Sequence, residues 1–345
     1  MTCSAFVNDL VPLILEAQQH WWPRDFVQLA LVSSAWLHDV RKRLYSVPRL
    51  HSAIAIGQLA RSLRNNPALS NYVTGYALLP TDGSVSWSDV RQLLALEGIQ
   101  RLALGGELAV RAERIVRLVA FPEHLRELEI DGSLISGRPH EEPSLEWDES
   151  ITCLLGSLKT LRLTNIDLDV EPARTQRPLS VKSLTLHNVC WTNGGLLDLL
   201  NGACLLHELD VATTDKEEHD EQVCAVLEHC AVESLRYTVE KDTAEGWCAL
   251  DVESTLTQSM RRLHLDGILV DAGWLSVIEE KYRGLEELSV VGRLVRVTAD
   301  EWAAFMLRTS LRARLPMGTN CPPFSRWPKE EICALQETLR DRLLI

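Results

Sequence analysis

The chain has 345 residues, 46% of them apolar and 24% charged. These are ordinary proportions for a folded protein, and they exclude extended disorder. The net charge of −13 is uneven: residues 1–70 hold seven Lys/Arg against four Asp/Glu, and the remainder holds 28 against 44. An acidic body argues against nucleic-acid backbone binding. No apolar run approaches the roughly 18 residues that a membrane span needs. The opening stretch MTCSAFVNDLVPLILEAQ is interrupted by Asn8, Asp9 and Pro12 and precedes the first basic residue, Arg24. Neither a signal nor a transit peptide is therefore expected, and the expected compartment is cytosol or nucleus. The nine cysteines form no CxxC pair, and Cys153, Cys190, Cys204 and Cys224 lie in apolar stretches. Buried free thiols are the expectation.

Residues 6–45 predict a small helical head. A helix over about 8–18 has Asp9 near its start. A second, beginning after Pro23 and running from about 24 to 33, carries Phe26, Leu29 and Ala30 on one face. A third, over about 34–46, is capped by Ser33 or Ser34 and carries Trp36, Val40 and Leu44 at helical spacing. Trp36 and Leu44 are expected in the head's own core.

Next comes a six-residue pattern of apolar, two variable, Leu, one variable, apolar. It reads IQRLAL (99–104), LRELEI (125–130), LKTLRL (158–163), VKSLTL (181–186), LHELDV (206–211), VESLRY (232–237), MRRLHL (260–265) and LEELSV (285–290), with VTGYAL (73–78) as a weaker earlier copy. The gaps between central positions, from Tyr76 to Leu288, are 26, 26, 33, 23, 25, 26, 28 and 25 residues; all but the 33 match a repeat period of about 20–29. In a strand the fourth and sixth positions point inward together, and the third, fifth and seventh point out. Between copies the chain must cross back to start the next parallel strand. Residues 107–120, 217–230 and 271–282 have helical spacing suited to that return.

The outward positions include Glu127, Glu129 and Asp131, then Arg162, His187, Glu208, Asp210, Arg236, Arg262 and His264. On a horseshoe these line the concave face and are the candidates for binding a target protein. The acidic groups at Glu127, Glu129, Asp131 and at Glu208, Asp210 suit a partner with a basic patch. The long gap holds SGRPHEEPSLEWDES (136–150), which reads as an exposed acidic loop. Gly105-Gly106 and Gly194-Gly195 read as turns. Beyond the repeats, Thr298 is expected to cap a helix to about residue 309, and Pro328 to open a last helix bearing Ile332, Leu335, Leu339 and Leu343 on one face. Both suit capping of the array's open end.

Catalytic and ligand signatures are missing: no G-x-S-x-G, Walker A loop, H-E-x-x-H or strand-linked G-x-G-x-x-G occurs. His219, Cys224, His229 and Cys230 lack zinc spacing. Neither catalysis, cofactor nor metal is expected.

The string RDFVQLALVSSAWLHDVRKRLY resembles the second and third helices of an F-box at Phe26, Leu29, Leu31, Val32, Ser33, Trp36, Arg43, Leu44 and Tyr45. Residues 46–78, with LARSL and NP, resemble the linker of many fungal F-box proteins. The array resembles leucine-rich repeats, with asparagines (Asn165, Asn188) one position early. The resemblance implies an α/β solenoid, parallel strands inside and helices outside, behind a three-helix F-box-like head. The divisions would be head 1–48, helical linker 49–72, array 73–296 of eight or nine repeats, and capping region 297–345. It implies a substrate receptor of an SCF-type ubiquitin ligase. The head would hold a Skp-family adaptor through Leu10, Val11, Pro12, Leu15, Phe26, Leu29 and Val32, and the repeats would hold an unknown target. The alternatives are a repeat scaffold outside any ligase, its head only a helical cap, and an enzyme with a site dispersed over loops, which no motif supports.

Overall fold

The computed structural model describes residues 10–15, 23–81, 83–134, 143–172, 179–201, 205–214, 216–240, 250, 252–268, 270–291, 296–309 and 311–313, together with Glu330, Cys333 and Glu337. The chain divides into two units, Met1–Leu145 and Glu146–Ile345. Each is a parallel α/β array.

The first unit opens with three helices. Residues 10–15 form α1; α2 spans Pro23–Ala30 and α3 spans Ser34–Ser46. Ser33 is the N-cap of α3, its hydroxyl accepting from the Trp36 N–H. After β1 (Arg49–Leu50), α4 (Ala53–Asn65) is capped by Ser52 and buries Ile56, Leu59, Ala60 and Leu63, the 3.6-residue stripe of an amphipathic helix. Then follow β2 (Gly75–Leu78), α5 (Trp87–Leu94), β3 (Arg101–Gly105), α6 (Ala112–Val116) and β4 (Glu127–Asp131). The strands pair in parallel in the order β1-β2-β3-β4. The helix expected over 107–120 is shorter: a 3-10 turn, Gly106–Arg111, leads into the five residues of α6.

At the start of the second unit, β5 (Ser144–Trp147) pairs with β6 (Thr160–Val170). The rest is α7 (Glu149–Leu154), β7 (Ser183–Asn193), α8 (Leu196–Leu200), β8 (Glu208–Thr213), α9 (Lys216–His229), β9 (Ser234–Val239), β10 (Arg262–Asp266), α10 (Ala272–Lys281), β11 (Glu287–Val291), α11 (Ala299–Arg308) and β12 (Arg312–Ala313). From β6 to β12 each strand is parallel to the next. The expected helices over 217–230 and 271–282 correspond to α9 and α10. Thr298 caps α11 in a reciprocal capping box with Glu301. These hydrogen bonds hold the Glu301 carboxyl below its usual range, so its contribution to the helix start is lost as pH falls through that lowered value.

Tyr76 and the eight central leucines, Leu102, Leu128, Leu161, Leu184, Leu209, Leu235, Leu263 and Leu288, are each no more than 2% exposed. Within each unit they stack in register: Tyr76 on Leu102 on Leu128, and Leu161 on Leu184 through to Leu288. Fully burying such a side chain stabilises by roughly 1.5–3 kcal/mol. The second position of each copy has a different task. There one carbonyl accepts two successive N–H groups of the next repeat: Thr74 from Gln100 and Arg101, Gln100 from Arg126 and Glu127, Lys159 from Lys182 and Ser183, Lys182 from His207 and Glu208. The series continues with His207 from Glu233 and Ser234, Glu233 from Arg261 and Arg262, and Arg261 from Glu286 and Glu287. Only backbone is required, so that position tolerates side chains of any chemistry except proline, which has no N–H to donate.

Tyr76 is the odd member. Its hydroxyl is buried and has no hydrogen-bond partner among the described residues, and burial pushes its pKa well up. A buried unsatisfied hydroxyl costs on the order of 1–3 kcal/mol. Tyr76→Phe is therefore expected to raise the denaturant midpoint, by roughly 1 kcal/mol in stability; a lowered midpoint contradicts this.

Asn165 and Asn188 are not a side-chain ladder. Both adopt the left-handed conformation, φ 51°, and lie at matching places between Thr164↔His187 and Ile166↔Val189. Each shifts the alternation by one residue: Leu161 and Leu163 are buried before the bend, Ile166, Leu168 and Val170 after it. The same shift takes β7 from Leu184 and Leu186 to Val189. Asparagine tolerates this backbone better than other residues with a Cβ. Asn165→Val should cost about 1–2 kcal/mol and Asn165→Gly far less, read from the denaturation midpoints of the two variants.

Two expectations are corrected. Residues 136–142 lie outside the described residues, but 143–150 are not an exposed loop. Leu145 and Trp147 are buried, Trp147 donates through Nε1 to Thr152 Oγ1 at 3.0 Å, and Asp148 caps α7. Alternation in Leu-Glu-Trp makes a strand whose acid faces out. Of the thiols, Cys153 and Cys190 are exposed and Cys224 half-buried, while Cys230 is buried; Cys204 lies outside the described residues. The turn at Gly194 needs glycine: φ is +69° and a Cβ would collide with the Val170 carbonyl. In the last segment Glu330, Cys333 and Glu337 are helical and exposed, and Ile332, Leu335, Leu339 and Leu343 lie outside the described residues. Among the described residues, no helix is long and apolar enough to cross a membrane.

Candidate partner-binding surfaces

In the head, Val11, Leu15, Phe26 and Val40 form one buried cluster, with Leu29, Ala30 and Trp36 packed against it. Val11 and Leu15 are one helical turn apart on α1, so they face the same way. Val11, Leu15 and Phe26, expected as surface contacts, thus lie in the head's own interior. Leu10 and Leu29 are half-buried, and Pro12 is exposed. Leu44, expected in the core, is exposed, on a helix that buries only Val40.

What the head shows to solvent is also apolar. Leu13 is 59% exposed, Val27 60%, Leu31 83% and Val32 63%, and Ile14 joins them. These five are half of the ten exposed large hydrophobic side chains among the described residues, so exposure is concentrated in the head. Local geometry explains it. Helix α2 ends at Ala30, and the Leu31 and Val32 N–H groups close a turn on Gln28 and Leu29 at 3.1 Å each. Leu31 and Val32 therefore occupy the corner between α2 and α3, and Val27 lies one helical turn before Leu31. Leu13, Ile14, Val27 and Leu31 were not among the expected contacts. The signal was there in the period: residues 27 and 31 fall off the 26, 29, 30 stripe.

The outward strand positions form rows across the arrays, and much of their charge is cancelled within the protein. Arg101 Nε lies 3.1 Å from Glu127 Oε1, and Asp131 accepts from the Ser133 N–H at 2.8 Å. In the second unit Arg262 reaches Glu208 at 3.5 Å, across two strands, and His187 Nε2 lies 3.3 Å from Asp210 Oδ1. Of the expected acidic groups, only Glu129 stands without such a contact among the described residues. Arg162 and Arg236 project from β6 and β9, exposed and outside these ion pairs, in one row with Thr185 and Asp210. His264 is half-buried on β10 in the same row. The acidic group at Glu208 and Asp210 is therefore not an open patch awaiting a basic partner. The second unit's face is a mixed field of charges, and among the described residues Arg162 and Arg236 on one hand and Asp266 and Glu287 on the other stand outside its ion pairs. Exposed pairs of this kind contribute little to stability, about 0–1 kcal/mol each.

No protein-family model matches the chain, and no curated protein matches it. The surfaces themselves thus carry the functional reading. Among the described residues, no group of three or more His, Cys, Asp or Glu could hold a metal ion.

Proposed function

We propose that this chain is a non-enzymatic substrate receptor of an SCF-type ubiquitin ligase, an F-box-like head followed by irregular leucine-rich repeats. The head binds a Skp-family adaptor, and the outward strand face binds a target protein. The chain makes and breaks no bonds; it contributes proximity, holding a target lysine near the conjugating enzyme.

One observation carries the proposal. The head fills its interior with Val11, Leu15, Phe26 and Val40 and still exposes Leu13, Ile14, Val27, Leu31 and Val32. Apolar surface concentrated on a small domain marks a protein-binding site. The F-box-like string supports the choice of partner, since Leu31 and Val32 belong to it. The adaptor contacts are then Leu13, Ile14, Val27, Leu31, Val32 and Pro12, with Leu10 and Leu29 at the margin. On the strand face, Arg162 and Arg236 are the cationic contacts offered to a target.

The test is co-expression of the full chain with a Skp-family adaptor, followed by affinity capture and size exclusion. A stoichiometric complex is expected. Failure of the two to co-elute would leave a repeat scaffold that acts outside any ligase.

A further inference from the structure

The geometry points to a second binding surface, on the helical side of the first unit, that takes a doubly phosphorylated protein segment. Trp87 opens α5 and is half-buried. Two guanidinium groups lie against its indole: Arg111 Cζ is 5.5 Å from the ring centroid and Arg114 Cζ is 4.8 Å. Both arginines are exposed. They are one turn apart, Arg111 closing the 3-10 turn and Arg114 lying within α6.

Neither guanidinium belongs to an ion pair among the described residues, in a protein of net charge −13. The neighbouring carboxylates are engaged elsewhere: Glu113 holds Arg117 at 2.9 Å and Asp89 faces Arg64 at 3.9 Å. Glu107, on the turn before Arg111, is exposed and pairs with neither arginine. Arg91, exposed on α5, adds a third cation to this side.

An indole holds a cation by its quadrupole without neutralising it. The two forks are thus fixed in place with their donors unspent. Arginine's planar fork suits phosphate oxygens two at a time, and fixing it beforehand removes part of the ordering cost of binding. Both Cζ atoms lie within 5.5 Å of one centroid, so their separation cannot exceed twice that distance. Phosphates two residues apart on an extended chain, roughly 7 Å, fall inside this span. The acidic body as a whole repels a long polyanion, which favours a short segment with local charge over nucleic acid.

The test is fluorescence anisotropy with the full chain. The probe is a labelled Gly/Ala peptide carrying two phosphoserines two residues apart, run beside the same peptide with plain serines, a single-stranded DNA oligonucleotide and phosphatidylserine vesicles. The bis-phosphopeptide is expected to bind about tenfold or more tighter than the serine peptide. Arg111→Gln with Arg114→Gln should erase that preference while the chain keeps its circular dichroism spectrum and its cooperative unfolding. Arg111→Lys with Arg114→Lys, which keeps the charge and loses the fork, should lose most of it. The inference is overturned if the phosphopeptide shows no preference, if either double variant binds as the parent does, or if DNA or vesicles bind more tightly than the peptide.

Discussion

Changing Leu31 and Val32 together to aspartate should lower affinity for a Skp-family adaptor roughly 100-fold or more, with no change in the denaturation midpoint. Both side chains are mostly in solvent in the free chain, so folding does not depend on them. In a complex they would lie at the centre of an apolar contact, where a charge cannot be solvated. A hundredfold loss corresponds to about 2.7 kcal/mol, within reach of two buried anchors. Phe26→Asp gives a useful contrast. It should also abolish binding, but by placing a charge in the Val11–Leu15–Val40 cluster and unfolding the head, visible as lost helical signal. Calorimetry and circular dichroism on both variants separate the two routes. Undiminished affinity of the Leu31/Val32 variant would remove this surface from the adaptor contact.

Leu184→Ala has the other large expected effect. Leu184 is fully buried, with Leu161 aligned on one side and Leu209 on the other. Deleting it opens a cavity between two neighbouring repeats, and the cost is about 2–5 kcal/mol. Its outward neighbour Thr185 is half-exposed, and Thr185→Ala should stay within roughly 0.5 kcal/mol. A difference this large between adjacent residues is what a shared inner face demands. Near-equal midpoints in denaturant for the two variants would contradict it.

The arrays were legible because their two periods reinforce each other. Alternation along each strand marks Leu161 and Leu163, or Leu209 and Val211, as inward, and the spacing of about 25 residues aligns one copy with the next. Short or broken patterns were harder to read. Leu145 and Trp147 alternate for only three residues amid prolines and acids, so the segment read as a loop. Asn165 and Asn188 stood out, yet their role lies in backbone conformation, and the phase change from Leu163 to Ile166 was its only trace. The charges on the strand face depended on register. Arg101 and Glu127 are direct partners, a pairing available once the strands are aligned, whereas Arg262 reaches Glu208 over an intervening strand. In the head, composition alone could not tell Val11 from Leu13. Both are apolar and two residues apart on one helix, and only packing decides which of them faces solvent.

Amide hydrogen exchange across the full chain, with and without a saturating Skp-family adaptor, tests the central claim most directly. Strong added protection is predicted over residues 10–15 and 23–32, with β6 to β11 unchanged. Protection confined to the repeats, or no change in the head at saturation, would contradict the assignment of the head as the adaptor-binding element.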